Sequence, residues 1–182
     1  MRSSDSSSKR IFELVLFAML GALMFASDIA MEALPNVHIV GVLCVAYTAV
    51  FRAKALIPIY VYVFITGLIY GFAFWWVAYL YVWLILWGMA MLIPKRAPKA
   101  VCAVLYPIIC ALHGLLFGAL NAPLYAIAYG MGFDGMLAWI ASGLGFDIIH
   151  TVGNLGFGLL ILPLSELMKK MLRKTRFYSR NA

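Results

Sequence analysis

The sequence predicts an all-α membrane protein with six transmembrane helices and both termini in the cytoplasm. Of its 182 residues, 65% are hydrophobic and only 12% are charged, and the mean hydropathy is +0.98. A chain with so little polar surface to present to water is typical of an integral membrane protein. Charged and proline-containing segments separate its apolar runs, and its 14 basic residues fall on one side of a six-span arrangement.

The six spans are read from the apolar runs and from the residues that interrupt them. In chain order they are predicted at residues 11–30, 37–51, 55–72, 79–93, 100–120 and 146–162. Pro35 and Asn36 follow span 1, Arg52 follows span 2, Pro94 follows span 4 and Pro123 follows span 5. Because a helix needs roughly 20 residues to cross the hydrocarbon core, the short spans 2 and 4 are expected to borrow residues from their flanks.

The segment between spans 5 and 6, residues 121–145, is rich in glycine and longer than a simple turn. Irregular backbone is tolerated at membrane depth only where protein or a water-filled cavity surrounds it. We therefore expect an irregular or re-entrant outer element here, with a short helix at about residues 136–141.

The positions of the basic residues predict the orientation. They lie at Arg2, Lys9, Arg10, Arg52, Lys54, Lys95, Arg96, Lys99, Lys169, Lys170, Arg173, Lys174, Arg176 and Arg180. By the positive-inside rule this side is cytoplasmic, so the net charge of +7 reflects topology and not affinity for nucleic acid. The predicted parts are a polar cytoplasmic lead (1–10), a six-helix membrane domain (11–166) and a basic cytoplasmic tail (167–182).

Few features of the sequence suggest an enzyme. Cys44, Cys102 and Cys110 lie inside apolar runs without metal-ligand spacing, which predicts buried, inert thiols and no metal site. The sequence has no GxSxG, HExxH or GxxxxGK[ST] motif, so neither those catalytic sites nor a phosphate-binding loop is expected. The N-terminal run lacks a convincing signal-peptide cleavage site and is long enough to span.

Polar and aromatic residues collect at the predicted outer ends of the spans. They include Asn36 and His38 in loop 1, Trp75, Trp76, Tyr79 and Trp83 around loop 3, and Asn121, Tyr125 and Trp139 beyond span 5. Tryptophan and tyrosine commonly form interfacial belts, and a belt is one interpretation. Because a belt should mark both interfaces and the inner one has few such rings, the asymmetry favours an outward-facing pocket.

Span 6 places Asp147, His150 and Asn154 within nine residues, in the stretch FDIIHTVGN. At about 100° per residue the three fall within a sector of roughly 60°. Ionisable groups inside a span are costly and usually functional, so this face is predicted to bind a ligand. The alternative is a self-satisfied structural cluster. His113 in span 5 is predicted to form an interhelical hydrogen bond.

Span 1 carries small residues every four positions, Ala18, Ala22 and Ala26, in the string AMLGALMFA. Such a strip lets another helix approach closely. The strip could contact a partner or could pack against other helices of the same chain.

The length, the six spans, the alanine strip and the strings FASDIAMEALPNVHIVG and GFDIIHTVGN together resemble the substrate-binding S-components of energy-coupling factor (ECF) transporters. The resemblance covers essentially the whole chain. It implies that Ala18, Ala22 and Ala26 contact a transmembrane coupling subunit (T-component). It also implies an outward pocket that holds a vitamin and includes these residues: Asn36, His38, Trp75, Trp76, Tyr79, Trp83, Asn121, Asp147, His150 and Asn154.

The implied function is that of a binding subunit in the plasma membrane of a prokaryote, without catalytic residues or a bound cofactor of its own. Two partner ATPases would supply energy, and loops 1 and 3 would close over the ligand before the subunit tips inward. The rings and the lack of outer cations favour a large, flat ligand such as cobalamin or a related corrinoid. Pantothenate, riboflavin, folate and a queuosine precursor are the alternatives. The chain begins Met1-Arg2-Ser3 and lacks the Met-His start of metal-specific S-components, so a bare metal ion is not expected.

The same polar residues of span 6 are also compatible with a second class of function, that of a secondary transporter. Asp147 and His150 could form the proton relay of an autonomous secondary transporter. Such transporters often contain internal repeats, and the two halves of this sequence show no convincing repeat.

Overall fold

The chain folds into helices throughout the part that the structure describes. The structure is a computed structural model covering residues 2–34 and 36–175, with side chains from residue 7 onward. Its elements are α1 (Arg2–Ala30), α2 (Val40–Phe51), a 3₁₀ helix (Arg52–Ala55), α3 (Leu56–Tyr70), α4 (Phe74–Met91), α5 (Lys99–Ala128), α6 (Phe133–Gly158) and α7 (Ile161–Lys174). Within these ranges no strand occurs, which confirms the all-α class. Pro35, Arg176 and Arg180, used above for punctuation and orientation, lie outside the described residues.

Five helical stretches in the described ranges are long and apolar enough to cross a membrane. They are Ser7–Ala30, Val40–Tyr70, Phe74–Met91, Lys99–Ala128 and Phe133–Gly158. The chain therefore has the architecture of a multi-pass membrane protein. The count differs from the predicted six because spans 2 and 3 fall in one continuous helical run.

The first half of that run lies antiparallel to α1. The ring centroids of Phe17 and Phe51 are 5.1 Å apart, and the Tyr47 hydroxyl donates to the Leu20 carbonyl at 3.2 Å. Residues near the middle of α1 thus meet the end of α2. All of residues 40–48 are buried, so α2 is the central helix, and its burial on every side explains its lack of a polar face.

The second half of the run lies parallel to α1. Lys54 forms a salt bridge of 2.8 Å with Glu13, and the ring centroids of Phe25 and Tyr70 are 6.2 Å apart. Early residues of α1 therefore meet the start of α3, and late residues meet its end. The chain reverses direction at Arg52, whose φ is +55°, a left-handed conformation that is uncommon for a residue other than glycine.

The two ends of the bundle differ in charge. Arg52 donates to the carbonyls of Met91 (2.8 Å) and Ile93 (2.9 Å), and Lys99 pairs with Glu166 at 2.7 Å. These contacts show that the Arg52 turn lies beside the end of α4, and that the start of α5 lies beside α7. We call the end of the bundle that contains these four parts the basic end. The opposite end is the acidic end: among the described residues it carries Asp28, Glu32, Asp134 and Asp147 and no lysine or arginine.

Helices α5 and α6 form a closely packed antiparallel pair. The Asn154 amide donates to the Cys110 carbonyl at 3.0 Å, and the Gly118 amide donates to Asp147. A Cβ at Gly158 would lie 2.8 Å from the Cα of Pro107. Small residues at such contacts let helix backbones approach closely, which is how apolar helices commonly associate inside a membrane.

The expected irregular element at residues 121–145 is replaced by the ends of these two long helices. Helix α5 continues past Leu120 and through Pro123 to Ala128, and α6 begins at Phe133. The turn between them occupies residues 129–132 and contains Gly130 at φ +61°. The prediction was wrong because proline and glycine are tolerated inside membrane helices, where neighbouring helices compensate for the freed backbone groups.

Two residues, 159 and 160, separate the end of α6 from the start of α7, so the helix is interrupted where span 6 was expected to continue to residue 162. One face of α7 is buried through Ile161 and Ser165. The helix continues across the predicted start of the basic tail at residue 167. The N-terminal lead is likewise part of a helix, because α1 extends from Arg2.

Candidate functional site

A cavity of about 430 Å³ opens at the acidic end between α4, α5 and α6. Five of the ten predicted ligand-binding residues line it: Asn36, Trp75, Tyr79, Asn121 and Asp147. Its other lining residues are Phe117, Gly118, Tyr125, Trp139, Gly143 and Phe146. The cavity thus combines polar groups from three parts of the chain with an aromatic wall.

Asp147 provides the charged group of the cavity. The residue is 6% exposed, and its two carboxylate oxygens lie 3.1 and 3.2 Å from the Gly118 amide nitrogen. Every salt bridge found among the described residues lies at the basic end. The carboxylate therefore has no cationic partner from the described chain and keeps acceptor capacity for a ligand.

Two pairs of aromatic rings belong to the lining of the cavity. The ring centroids of Trp75 and Tyr79 are 5.3 Å apart in an edge-to-face arrangement. Tyr125 and Trp139 stack at 5.1 Å with an interplanar angle of 20°. An aromatic lining suits a flat or partly apolar ligand, because such rings supply both buried area and oriented contacts.

Below the cavity, five rings form a closed circuit: His38, Trp83, His113, Phe117 and His150. The centroid distances around it are 6.2 Å (His38–Trp83), 5.8 Å (Trp83–His113), 6.0 Å (His113–Phe117), 5.1 Å (Phe117–His150) and 4.7 Å (His150–His38). Phe117 belongs to both the circuit and the cavity lining. The circuit and the cavity are therefore adjacent, with the Phe117 ring at their common boundary.

Several buried polar atoms of this lower region have no hydrogen-bond partner among the described residues. They are His38 Nδ1, Trp83 Nε1, His113 Nδ1, His150 Nε2 and Asn154 Oδ1. Each unsatisfied buried group costs about 1–3 kcal/mol. Four of the five atoms belong to rings of the circuit, so this region has unused hydrogen-bonding capacity.

The three polar residues of α6 share one buried face, as the spacing predicts, but they do different things. Asp147 contacts the backbone of α5, and Asn154 also bonds to α5, at Cys110. His150 makes a ring contact with His38, with centroids 4.7 Å apart. The described hydrogen bonds include none between Asp147 and His150, so the suggested carboxylate–imidazole pair is not formed.

His38 and His113 have distinct surroundings. His38 lies in the connector of residues 31–39, where burial lowers the pKa of its imidazole and the Asp28 carboxylate partly opposes that shift. A lowered pKa favours the neutral ring. His113 contacts the Val82 carbonyl of α4 at 3.1 Å, which confirms the predicted interhelical hydrogen bond.

Trp76 is a predicted site residue that the structure places elsewhere. Its indole donates to the Val63 carbonyl of α3 at 2.8 Å, and its ring contacts Phe72 at 4.9 Å. The neighbouring Trp75 faces the main cavity and also a second cavity of about 360 Å³. The second cavity is lined by Asp28, Glu32, Thr66, Tyr70, Trp75 and Tyr79.

Sequence reasoning missed several lining residues because it began span 6 at residue 146. Trp139 and Gly143 lie eight and four residues before Asp147, which places all three on one face of a helix. A helix assigned from residue 133 would have revealed this face. Phe117, one turn before Asn121 on α5, could have been found by the same spacing.

The alanine strip of α1 faces away from the bundle. Ala18, Ala22 and Ala26 are all exposed, whereas a Cβ at Gly21 would lie 2.5 Å from a Val61 methyl carbon. The opposite face of α1 therefore makes the contact with α3. The alternative that the strip packs against the protein's own helices is wrong.

The histidine, cysteine and carboxylate side chains do not form a metal site in the part of the chain that the structure describes. In the described ranges no group of three or more histidine, cysteine, aspartate or glutamate residues is placed to hold a metal ion. Cys44, Cys102 and Cys110 are buried and free, which confirms their predicted burial.

Comparisons with known proteins found no match to this chain among protein-family models, curated proteins or solved structures.

Proposed function

We propose that the chain is the substrate-binding S-component of an ECF-type importer and captures a vitamin or cofactor precursor on the outer side of the membrane. The observation that carries the proposal is the cavity at the acidic end, with a buried, unpaired carboxylate and an aromatic lining. Its lining comes from the connector after α1 and from α4, α5 and α6. These are the regions to which the resemblance assigns the vitamin pocket.

The proposed topology has six crossings with both termini in the cytoplasm of a prokaryotic cell. The reversal at Arg52 supports six, because it divides the run of residues 40–70 into two helices of opposite direction. Helices α2 and α3 have 12 and 15 residues, so each is short for a crossing and relies on its flanks. The gathering of lysine and arginine at one end supports a cytoplasmic basic end.

The cavity constrains the ligand. About 430 Å³ lies within the usual range of roughly 300–1,000 Å³ for small-molecule pockets. This volume favours riboflavin, pantothenate, folate or a queuosine precursor over cobalamin or another corrinoid, whose macrocycle would require the cavity to widen. Among these, the Asp147 carboxylate and the lack of lysine and arginine in the described cavity lining favour riboflavin or a queuosine precursor, which offer N–H and O–H donors, over the carboxylate anions pantothenate and folate.

The proposed partners are a T-component and two ATPase subunits. The exposed strip of Ala18, Ala22 and Ala26 supports the first, because small exposed residues permit close contact with another membrane helix. ATP hydrolysis would occur on the partners, and this chain would bind, close its outer loops and tip to release the ligand inward. The chain is thus a transport subunit and not an enzyme.

Mass spectrometry of small molecules that co-purify with the detergent-solubilised chain tests this function. We expect one vitamin-like compound from the wild type and its loss from Asp147→Asn. The matched control is Asp134→Asn, which removes the same charge at the start of α6, outside the cavity lining. Equal retention by both variants would refute the role of the cavity.

The alternative function, a proton-coupled secondary transporter using Asp147 and His150, is supported by one observation. Three buried histidines near that carboxylate have ring nitrogens without described partners, as a proton path would need. Uptake by proteoliposomes that contain this chain alone, driven by a pH gradient, distinguishes the two functions. The S-component predicts binding without net accumulation.

A further inference from the structure

A second polar cavity lies at the basic end, far from the site described above. It has a volume of about 570 Å³ and is enclosed by the end of α2, the segment between α4 and α5, the start of α5 and α7. Its charged lining residues are Arg52, Lys95, Lys99, Lys169, Arg173 and Glu166. We call it the basic cavity.

The basic cavity has more positive charge than its own carboxylate can balance. Glu166 pairs with Lys99 at 2.7 Å and with Lys169 at 3.0 Å. The hydrogen bond from Lys99, and after it the one from Lys169, lowers the pKa of the Glu166 carboxyl. Arg52 is held by backbone carbonyls. Lys95 and Arg173 form no salt bridge within the described ranges. One carboxylate thus faces five cationic groups, an arrangement that attracts an anion.

Part of the wall of the basic cavity is apolar. Val50, Phe51, Leu162 and Leu172 contribute to its lining. A free inorganic anion would gain little from such walls. The glycerol and upper acyl portion of a lipid would bury apolar area against them.

Helix α7 places the basic cavity at the level of the membrane surface. The helix is amphipathic: Leu167 and Met171 are 53% and 61% exposed, while Lys169 and Arg173 turn toward the basic cavity. Helices with an apolar face and a basic face lie in the interfacial plane of anionic membranes. Basic pockets on the cytoplasmic side of membrane helices bind lipid headgroups.

We propose that the basic cavity binds the phosphate group of an anionic phospholipid of the inner leaflet. Lys95 and Arg173 contact the phosphate, and the apolar walls hold the adjoining glycerol and acyl carbons. The site does not depend on the identity of the ligand at the acidic end.

Native mass spectrometry of the full chain, released from nanodiscs of phosphatidylcholine containing a minority of phosphatidylglycerol, tests the proposal. We expect the wild type to retain one phosphatidylglycerol in preference to phosphatidylcholine. Lys95→Gln with Arg173→Gln should lower that preference roughly tenfold or more, as expected for the loss of two charges near a membrane surface. The matched control, Arg96→Gln with Lys174→Gln, removes the same charge outside the basic cavity and should retain the preference.

A second variant should increase lipid binding. A variant that failed to fold would lose binding, so misfolding could not produce the expected result. Glu166→Gln releases Lys99 and Lys169 from their carboxylate and should raise phosphatidylglycerol retention several-fold. A decrease, or an equal loss in both double variants, would overturn the proposal in favour of diffuse surface charge.

A final arm separates the two sources of phosphate. Inorganic phosphate is titrated into the wild type in phosphatidylcholine nanodiscs, and the unfolding temperature is measured. A lipid site predicts little stabilisation by inorganic phosphate and clear stabilisation when phosphatidylglycerol is included. Equal stabilisation by inorganic phosphate alone would overturn the lipid assignment in favour of a site for soluble phosphate.

Discussion

The carboxylate of Asp147 and the backbone of Gly118 meet across the interface of α5 and α6, with the amide nitrogen 3.1 and 3.2 Å from the two oxygens. A Cβ at Gly118 would collide with this carboxylate. The same glycine therefore lets the helices approach and holds the charged group of the cavity at the acidic end.

Gly118→Ala should destabilise the protein because the added methyl group forces Asp147 or α6 to move. Overpacking of this kind costs about 1–3 kcal/mol, seen as a lower unfolding temperature in detergent. Gly156→Ala is the matched control, since a Cβ there would meet nothing within 4 Å. Equal behaviour of the two variants would contradict the close contact.

Trp75→Ala should weaken binding of the co-purifying ligand by tenfold or more, because it removes an aromatic ring from the lining of the cavity. Trp76→Ala should leave the affinity nearly unchanged and lower the stability instead, since that indole bonds to α3 at Val63. Isothermal titration and thermal unfolding measure the two effects. A larger loss of affinity for Trp76→Ala would reverse the assignment of the two rings.

His150→Phe should stabilise the ligand-free protein while weakening ligand binding. The substitution keeps a ring against Phe117 and removes Nε2, a buried atom without a described partner, whose desolvation costs about 1–3 kcal/mol. Unfolding temperatures with and without ligand provide the measurement. No change in either quantity would indicate that the ring only fills space.

The proposed function predicts that Ala18→Trp with Ala22→Trp abolishes uptake by the proposed importer and leaves ligand binding intact. Both positions are exposed, so the bulky rings disturb a partner and not the fold. Val104→Trp with Ile108→Trp places the same rings four residues apart on the exposed face of α5, where the side chains are 58% and 48% exposed. Uptake equally reduced by both pairs would argue against a specific strip.

Much of the fold could be predicted because hydropathy identifies a whole membrane span and the position of a charge between two spans identifies the end of the bundle at which it lies. The all-α class and the apolar helices followed from composition, and the gathering of Lys54, Lys95 and Lys99 at one end followed from their position between runs. The faces of the helices could not be read in the same way. In α4, apolar residues occur all round the helix, so periodicity did not show that Trp75 and not Trp76 faces the cavity.

The ends of the helices could not be predicted from the sequence either. Pro123 and the glycines after it signal a break in a water-soluble protein, yet here α5 continues past them to Ala128. Because span 6 was begun at residue 146, Trp139 and Gly143 were not placed on the same helix face as Asp147. Asp147 and Asn121 were nevertheless predicted to lie near one pocket, and both line the cavity. Their positions did not depend on where α5 and α6 were expected to end.

The connector between α1 and α2 enters the bundle and does not pass over it. A Cβ at Gly153 would lie 3.6 Å from Val37, His38 contacts rings of α4 and α6, and Asn36 lines the cavity at the acidic end. A ligand in that cavity would share a wall with residue 36 of this connector. Substitutions at Val37, which lies against α6 at Gly153, would therefore alter the shape of the cavity from a position outside its lining.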